Sequence, residues 1–307
     1  MPSPSEQTLL VTGANSFVAG PIVKLALEKG YHVRGTVRSE ASTAKLRATF
    51  ADYGSKLSFA IVPDMTWIES YEAAFAGVAA PITGVINVAA KFALKVEDNT
   101  RDLLNPAIGG ATAILEAAKR YGPDVRRIVN TSSIACILDL SQGLRPGYTY
   151  TEKDWNPVTY EQAATADTVT AYCASKALAE KAMWWWMAAE KPSFTLATTQ
   201  PTWVFGPHVG GLSGTAHLNT SSQTLFRLLD AETVPHTDFA AFRRHPGASE
   251  PPPVGNPGAG QSEKVYQVDG SKAERILGIK YIPLNESMRD SFAQFLEAEK
   301  RTRTDSS

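Results

Sequence analysis

In Tyr172-Cys173-Ala174-Ser175-Lys176 a phenol and an amine stand four residues apart, which puts both on one face of a helix, one turn apart. A phenol with an ordinary pKa of about 10 is a poor acid-base catalyst near neutrality. An ammonium one turn away favours the phenolate and should pull that value down. A hydroxyl from another part of the chain, Ser133 in Thr131-Ser132-Ser133, can bond a substrate carbonyl and complete a polar pocket. Tyr-x-x-x-Lys alone recurs by chance on helix surfaces, so its meaning depends on what else the chain supplies.

It supplies an anion site. Leu9-Leu10-Val11-Thr12-Gly13-Ala14-Asn15-Ser16-Phe17-Val18-Ala19-Gly20 reads as a strand, a tight turn and a helix start. The first amides of such a helix and its dipole favour an anion in the turn, usually a dinucleotide pyrophosphate. Gly13, Asn15, Ser16, Phe17 and Val18 are the candidate contacts. The spacing Gly13, Ser16, Ala19 fits Gly-x-x-Gly-x-x-Gly/Ala except at Ser16, where a positive φ would cost about 1–3 kcal/mol.

The second strand, Tyr31 to Val37, ends at Arg38. An acidic residue there would bond the ribose hydroxyls of NAD, whereas an arginine pairs with the 2′-phosphate of NADP, so NADPH is the expected cofactor. Lys45 adds a second charge to that phosphate or is a solvated helix residue. Asp64, with Met65, follows a third strand (57–62); it accepts from the adenine amino group or caps the helix beginning near Trp67. Val88, Ala89 and Ala90 end a fourth strand (84–90) in residues small enough for ribose to lie on backbone. Spare donors of Lys176 would hold the nicotinamide ribose, and Pro201 and Val204 sit in the loop (200–207) after a sixth strand (194–199).

These groups need elements to carry them. Pro21 to Lys29 is a helix with Ile22, Val23, Leu25, Ala26 and Leu27 as its apolar face, closed by Gly30. A helix from about 106 to 121 precedes a fifth strand (127–131), a long helix holds Tyr172, and a last one runs from Leu284 to Lys300. Regular strand-helix alternation predicts the α/β class: a doubly wound parallel sheet of Rossmann type, with ligands at the carboxyl ends of its strands. Residues 1–207 would form the NADP-binding domain with the catalytic residues. Residues 208–300 would form a small, shortened substrate lobe that does not stand alone, and 235–262 would be mostly loop.

Composition narrows the partners. Thirty basic and 31 acidic side chains nearly cancel, which provides no field for nucleic acid and suits a small, roughly neutral substrate. Two cysteines, Cys136 and Cys173, make no disulfide framework and no metal spacing, so a reducing cytoplasm and no metal are expected. No apolar run approaches the length of a membrane helix. A monomer or homodimer is expected. Trp184-Trp185-Trp186 reads as core packing with one exposed or interfacial ring.

Taken together, these motifs resemble an extended short-chain dehydrogenase/reductase of the branch containing NADPH-dependent carbonyl and aldehyde reductases and dihydroflavonol reductases. The resemblance rests on Val11 to Ala19, Gly35-Thr36-Val37-Arg38-Ser39, Thr131 to Ser133, Thr151 to Pro157, Tyr172 to Lys176, Pro201 with Val204 to Pro207, and Val268 to Glu274. It implies Tyr172 as proton donor, Lys176 as its partner, Ser133 as the group orienting the carbonyl, and hydride delivery from the nicotinamide. The expected reaction is reduction of an aldehyde or ketone to an alcohol. Alternatives on the same scaffold are an epimerase, a dehydratase or a hydroxysteroid dehydrogenase; from another class, a non-catalytic NADP-binding sensor or pseudoenzyme. Relative to the family, a few tens of residues appear deleted between Val234 and Asp238-Phe239, so the sheet is expected to have one strand fewer and the substrate lobe to be partly open. Phe92, Ile134, Trp203, Phe205 and His208 are expected pocket walls that suit an alkyl or aryl carbonyl better than a sugar nucleotide.

Overall fold

Six strands hydrogen-bond side by side in one sheet: β1 (Thr8–Val11), β2 (His32–Val37), β3 (Leu57–Ile61), β4 (Ile82–Asn87), β5 (Arg127–Thr131) and, after the separate strand β6 (Thr149–Tyr150), β7 (Thr195–Thr199). All neighbours are parallel, in the order β3-β2-β1-β4-β5-β7. The chain steps outward from β1 to β3 and then returns to β4 on the other side of β1. The crevice at the carboxyl ends of β1 and β4 is therefore the topological switch point, where ligands bind in such sheets. The computed structural model describes residues 2–91, 96–216, 218–229 and 265–304.

The helices between these strands form where apolar residues recur at helical spacing. α1 (Ala19–Glu28) buries Ala19, Val23, Ala26 and Leu27, and the chain leaves it through Gly30 at φ 92°, with the Tyr31 amide donating back to the Ala26 carbonyl at 3.1 Å. α2 (Thr43–Thr49) and α3 (Glu72–Phe75) are short. α4 (Asn105–Tyr121) has Pro106 in its first turn and buries a stripe that includes Ala107, Gly110, Ile114 and Ala118. After α5 (Tyr160–Thr165), α6 (Thr168–Glu190) starts at Asp167, whose carboxylate accepts from the Val169 and Thr170 amides at 3.0 and 3.1 Å. Small buried residues on α6, Ala171, Ala174 and Ala177, let it lie against α4.

The core beneath these helices gathers Leu10, Val85, Ile114, Leu115, Ile128, Met183 and Phe194. Of the three adjacent tryptophans, Trp186 stacks on Phe194 at 6.1 Å and donates to Glu116, while Trp184 and Trp185 are 38% and 67% exposed, so two rings are exposed where the sequence reading expected one.

By contacts the described residues divide into two units: Met1–Gly143 with Glu152–Thr202, which holds the six-stranded sheet, and Leu144–Thr151 with Trp203–Ser307. In the second, β6 pairs in parallel with β8 (Gln267–Val268), and the buried Tyr150 ring meets Tyr148 and Tyr266 edge-on at 4.9 and 5.2 Å. There, α7 (Thr220–Phe226) contributes Leu225 to a cluster with Met288, Phe292 and Phe295 of the last helix, α9 (Leu284–Thr304), which follows α8 (Ser271–Leu277).

The fourth strand differs from its sequence reading of 84–90. It starts at Ile82 and stops at Asn87, because the next two amides, Val88 and Ala89, leave the sheet to donate to the Thr12 hydroxyl at 2.9 and 3.0 Å. Among the described residues no seventh strand joins the sheet. The 235–262 loop and the shortening after Val234 lie outside the described residues. Among the described residues no helix is long and apolar enough to cross a membrane.

Candidate active site

The glycine turn is built by conformation. Gly13 has φ 61°, and a Cβ there would meet the Ala89 backbone at 3.2 Å, so only glycine fits. Its neighbours are pinned to β2: the Gly13 amide donates to Thr36 Oγ1 at 3.2 Å and the Ala14 amide to the Thr36 carbonyl at 2.9 Å. Ser16 does not take the positive φ that would have strained it; among the described non-glycine residues only Arg145 and Lys191 do. Instead its hydroxyl accepts from the Ala19 amide at 3.3 Å and helps start α1. The missing glycine thus costs no backbone strain.

Around this turn opens a cavity of about 920 Å³, within the range of small-molecule and cofactor sites. Gly13, Asn15 and Ser16 line it from the turn after β1, Arg38 from the end of β2, Asp64 and Met65 from beyond β3, and Val88, Ala89 and Ala90 from beyond β4. One carboxylate oxygen of Asp64 accepts from the Thr66 amide at 2.8 Å and its hydroxyl at 2.7 Å, and these bonds hold the carboxyl below its usual range. Asp64 therefore fixes a turn and caps no helix. Lys45 stands exposed on α2 and is not among the cavity's lining residues; Phe17 and Val18, half-buried at the entrance to α1, are not either.

The three catalytic candidates do meet. Ser133 precedes the turn Ile134–Cys136, and its hydroxyl oxygen accepts from the Ala135 amide at 3.2 Å, which leaves its proton to donate. That segment is fastened to the end of β7 by the Ser132 amide on the Thr199 carbonyl at 2.8 Å and the Ile134 amide on the Pro201 carbonyl at 2.9 Å. Pro201 thus anchors the serine through its backbone, without lining the cavity.

On α6, Tyr172 is hydrogen-bonded to the Ser133 side chain, and Lys176 places its Nζ 5.5 Å from the centre of the Tyr172 ring. Burial pushes the phenol up to about 12; the charges of Cys173 and Cys136 add to the rise and the Ser133 bond opposes it. The phenol is therefore raised and not lowered as its spacing from Lys176 suggests, because burial dominates its surroundings, and burial likewise pushes the Lys176 ammonium down. Lys176 lines a second, small cavity that shares Met65, Ala89 and Ala90 with the large one, so the lysine adjoins the crevice that starts at the glycine turn.

Of the expected pocket walls, Ile134 is half-buried in the first unit and lines neither cavity; the others belong to the second unit or lie outside the described residues. Trp203 is 57% exposed and stacks on Phe205 at 6.3 Å, and Phe205 packs on the Leu225 cluster. His208 Nε2 is 2.9 Å from the Ser222 hydroxyl, and Val204 is half-buried beside Phe205. Phe92 lies outside the described residues.

Two groups of residues escaped the sequence reading. Thr12 donates to Asn87 at 2.7 Å and Asn87 to Asn130 at 2.8 Å, a buried chain across the ends of β1, β4 and β5 that holds the Val88-Ala89 wall in place. Asparagines ending two neighbouring strands were its only visible signal. Lys91, from the loop after β4, and Arg101, from the helical turn Thr100–Leu104 that leads into α4, also line the large cavity, and no motif marks either.

Comparison with known proteins follows the same outline. The profile of the NAD dependent epimerase/dehydratase family matches residues 9–229. The chain is 30% identical to the NADPH-dependent methylglyoxal reductase GRE2 of Saccharomyces cerevisiae, over 96% of this chain and 99% of that one. That alignment spans 342 positions against a chain of 307, so this chain lacks residues that its relative has. It is 35% identical to aldehyde reductase 2 of Sporidiobolus salmonicolor over 66% of this chain and 59% of that one. Among solved structures, yeast methylglyoxal/isovaleraldehyde reductase Gre2 complexed with NADPH superposes with a TM-score of 0.84 at 28% identity, covering 96% of this chain and 99% of that chain. Candida albicans Gre2 with NADPH superposes at 0.85 and 26%, covering 95% and 99%.

Proposed function

We propose a function from one premise: the chain belongs to the NAD dependent epimerase/dehydratase family. Within it, the chain is an NADPH-dependent reductase that converts an aldehyde or ketone to an alcohol. The observation that carries this reading is the Ser133–Tyr172 hydrogen bond with Lys176 over the same ring, next to a crevice that begins at a glycine turn. The relatives named above, one called an aldehyde reductase and two crystallised with NADPH, support it.

The residues present fit a dinucleotide. At Gly13 a Cβ would crowd Ala89, and a guanidinium and a carboxylate line the same cavity from the ends of neighbouring strands. Gly13, Asn15 and Ser16, with Phe17 and Val18 behind them, would hold the pyrophosphate. Arg38 would meet the 2′-phosphate, with Lys45 a more distant charge. Asp64 and Met65 would face the adenine, and Val88, Ala89, Ala90, Pro201 and Val204 the ribose and nicotinamide end. When bound, NADPH supplies a hydride.

The chain's own groups do the rest. Ser133 donates to the substrate carbonyl oxygen and fixes its orientation, drawing charge toward that oxygen as the carbon is reduced. Tyr172 holds its proton throughout the neutral range and delivers it to the same oxygen. Lys176 stabilises the phenolate left behind and anchors the ribose.

Residues 1–207 would carry the cofactor and catalytic groups and 208–300 the substrate lobe, in a cytoplasmic monomer or homodimer. The aromatic residues Trp203 and Phe205 suit an alkyl or aryl carbonyl. NADPH oxidation by the purified chain, measured over a panel of aldehydes and ketones, tests the reading.

A further inference from the structure

One side chain in the first unit has a buried charge that the mechanism leaves unused. Glu180 lies one turn beyond Lys176 and two beyond Tyr172 on α6, and is 3% exposed. Its Oε1 accepts from the Thr198 hydroxyl and from Gln200 Nε2, each at 2.8 Å, and from Trp184 Nε1 at 3.4 Å. Its Oε2 is buried with no hydrogen-bond partner of ordinary geometry among the described residues, although the Cys136 thiol interacts with the same carboxylate. Leaving a carboxylate oxygen so is costly unless something polar reaches it.

That something has a place. Glu180 and Lys176 line one cavity of about 30 Å³ together with Asn87, Asn130, Thr131 and Ser132. The volume holds a single water and is too small for a substrate or cofactor, and the polar lining exceeds the two to four partners that a buried water needs. We propose that Glu180 is the positioning residue for Lys176: its second carboxylate oxygen and the lysine ammonium share one ordered water in this cavity, which keeps the lysine charged and its Nζ beside Tyr172.

The arrangement answers a difficulty in the site. Burial disfavours the charged form of Lys176, and among the neighbouring titratable groups Tyr172 and Cys136 are pushed toward their neutral, protonated forms. Glu180 is the carboxylate bordering the same cavity, and its charge already raises the neighbouring Cys136 thiol. A water bridge brings that charge to the lysine without the two side chains having to touch.

The inference rests on the reductase reading for its kinetic consequence alone. Glu180→Gln isolates the claim, because an amide oxygen still accepts from Thr198 and Gln200 while the side chain loses its charge. With NADPH and an aldehyde, the variant should lose about tenfold or more in kcat, with the KM for NADPH within about twofold and the melting temperature unchanged. A high-resolution crystal structure of the wild type should show one water within hydrogen-bond distance of both Glu180 Oε2 and Lys176 Nζ. Wild-type kcat in a folded Glu180→Gln protein overturns the proposal, as does a cavity that is dry or whose water touches only one of the two. A wild type that oxidises no NADPH overturns the reductase reading instead, and the crystal structure still decides the water.

Discussion

Lys176 Nζ lies 5.5 Å from the centre of the Tyr172 ring, one turn further along α6 and over the ring's face. An ammonium so placed stabilises the negative charge that the phenol acquires after giving up its proton. Any such stabilisation lowers the phenol, yet burial is the largest influence on it and holds it up at about 12. In the proposed reaction the pair holds a proton until a carbonyl oxygen arrives, and the Ser133 hydroxyl marks where that oxygen would sit.

Gly13→Ala should destabilise the protein by about 1–3 kcal/mol, since alanine at φ 61° is strained and its Cβ would press on Ala89. At about 2–4 °C per kcal/mol, thermal unfolding resolves this, and an unchanged melting temperature would contradict the geometry of the turn.

Arg38→Ala should weaken NADPH binding about tenfold or more and leave NADH binding within about twofold, as expected for loss of a charge-assisted phosphate contact. Lys45→Ala should change NADPH binding by less than about twofold, because Lys45 is exposed and does not line the cavity. Fluorescence titration of the four protein-cofactor combinations checks both.

Tyr172 also predicts an alkaline limit to stability. Unfolded tyrosine ionises near 10, whereas folded Tyr172 keeps its proton up to about 12, so its contribution is complete below about pH 10 and is lost as pH climbs toward 12. Tyr71 is shifted in the same direction by its burial, so Tyr172→Phe should flatten the fall in stability without abolishing it. Denaturant unfolding at stepped pH measures the difference between the two slopes.

How much of this was legible in the sequence depended on the range of the interaction involved. Tyr172 with Lys176, and Gly13 with Ser16 and Ala19, are constrained by local helix and turn geometry, so spacing alone brought them together. The parallel sheet followed from alternation, although the end of β4 did not, because the Thr12 hydroxyl that draws off Val88 and Ala89 is some 75 positions away in the chain. The elevated phenol was missed for a related reason: the spacing reveals the lysine but not the depth of burial. Lys91 enters the cavity from a loop and Arg101 from the helical turn before α4, and no motif points to either.

The two thiols should behave as packing residues. Cys136 and Cys173 are both buried, and burial pushes both thiols up, Cys136 to about 12. At a pH of about 8, neither should react with an aromatic disulfide reagent in the native protein, and both should react in denaturant. Rapid labelling of the native protein would contradict this.

The central claim is that Ser133, Tyr172 and Lys176 carry carbonyl reduction by NADPH, and the most direct test is aldehyde-dependent loss of NADPH absorbance, wild type beside Tyr172→Phe. The account predicts turnover by the wild type and a fall of roughly 10²–10⁴ in the variant, with cofactor binding and melting temperature retained. A folded, NADPH-binding wild type that turns over no carbonyl, or a Tyr172→Phe variant that matches it, would contradict the account.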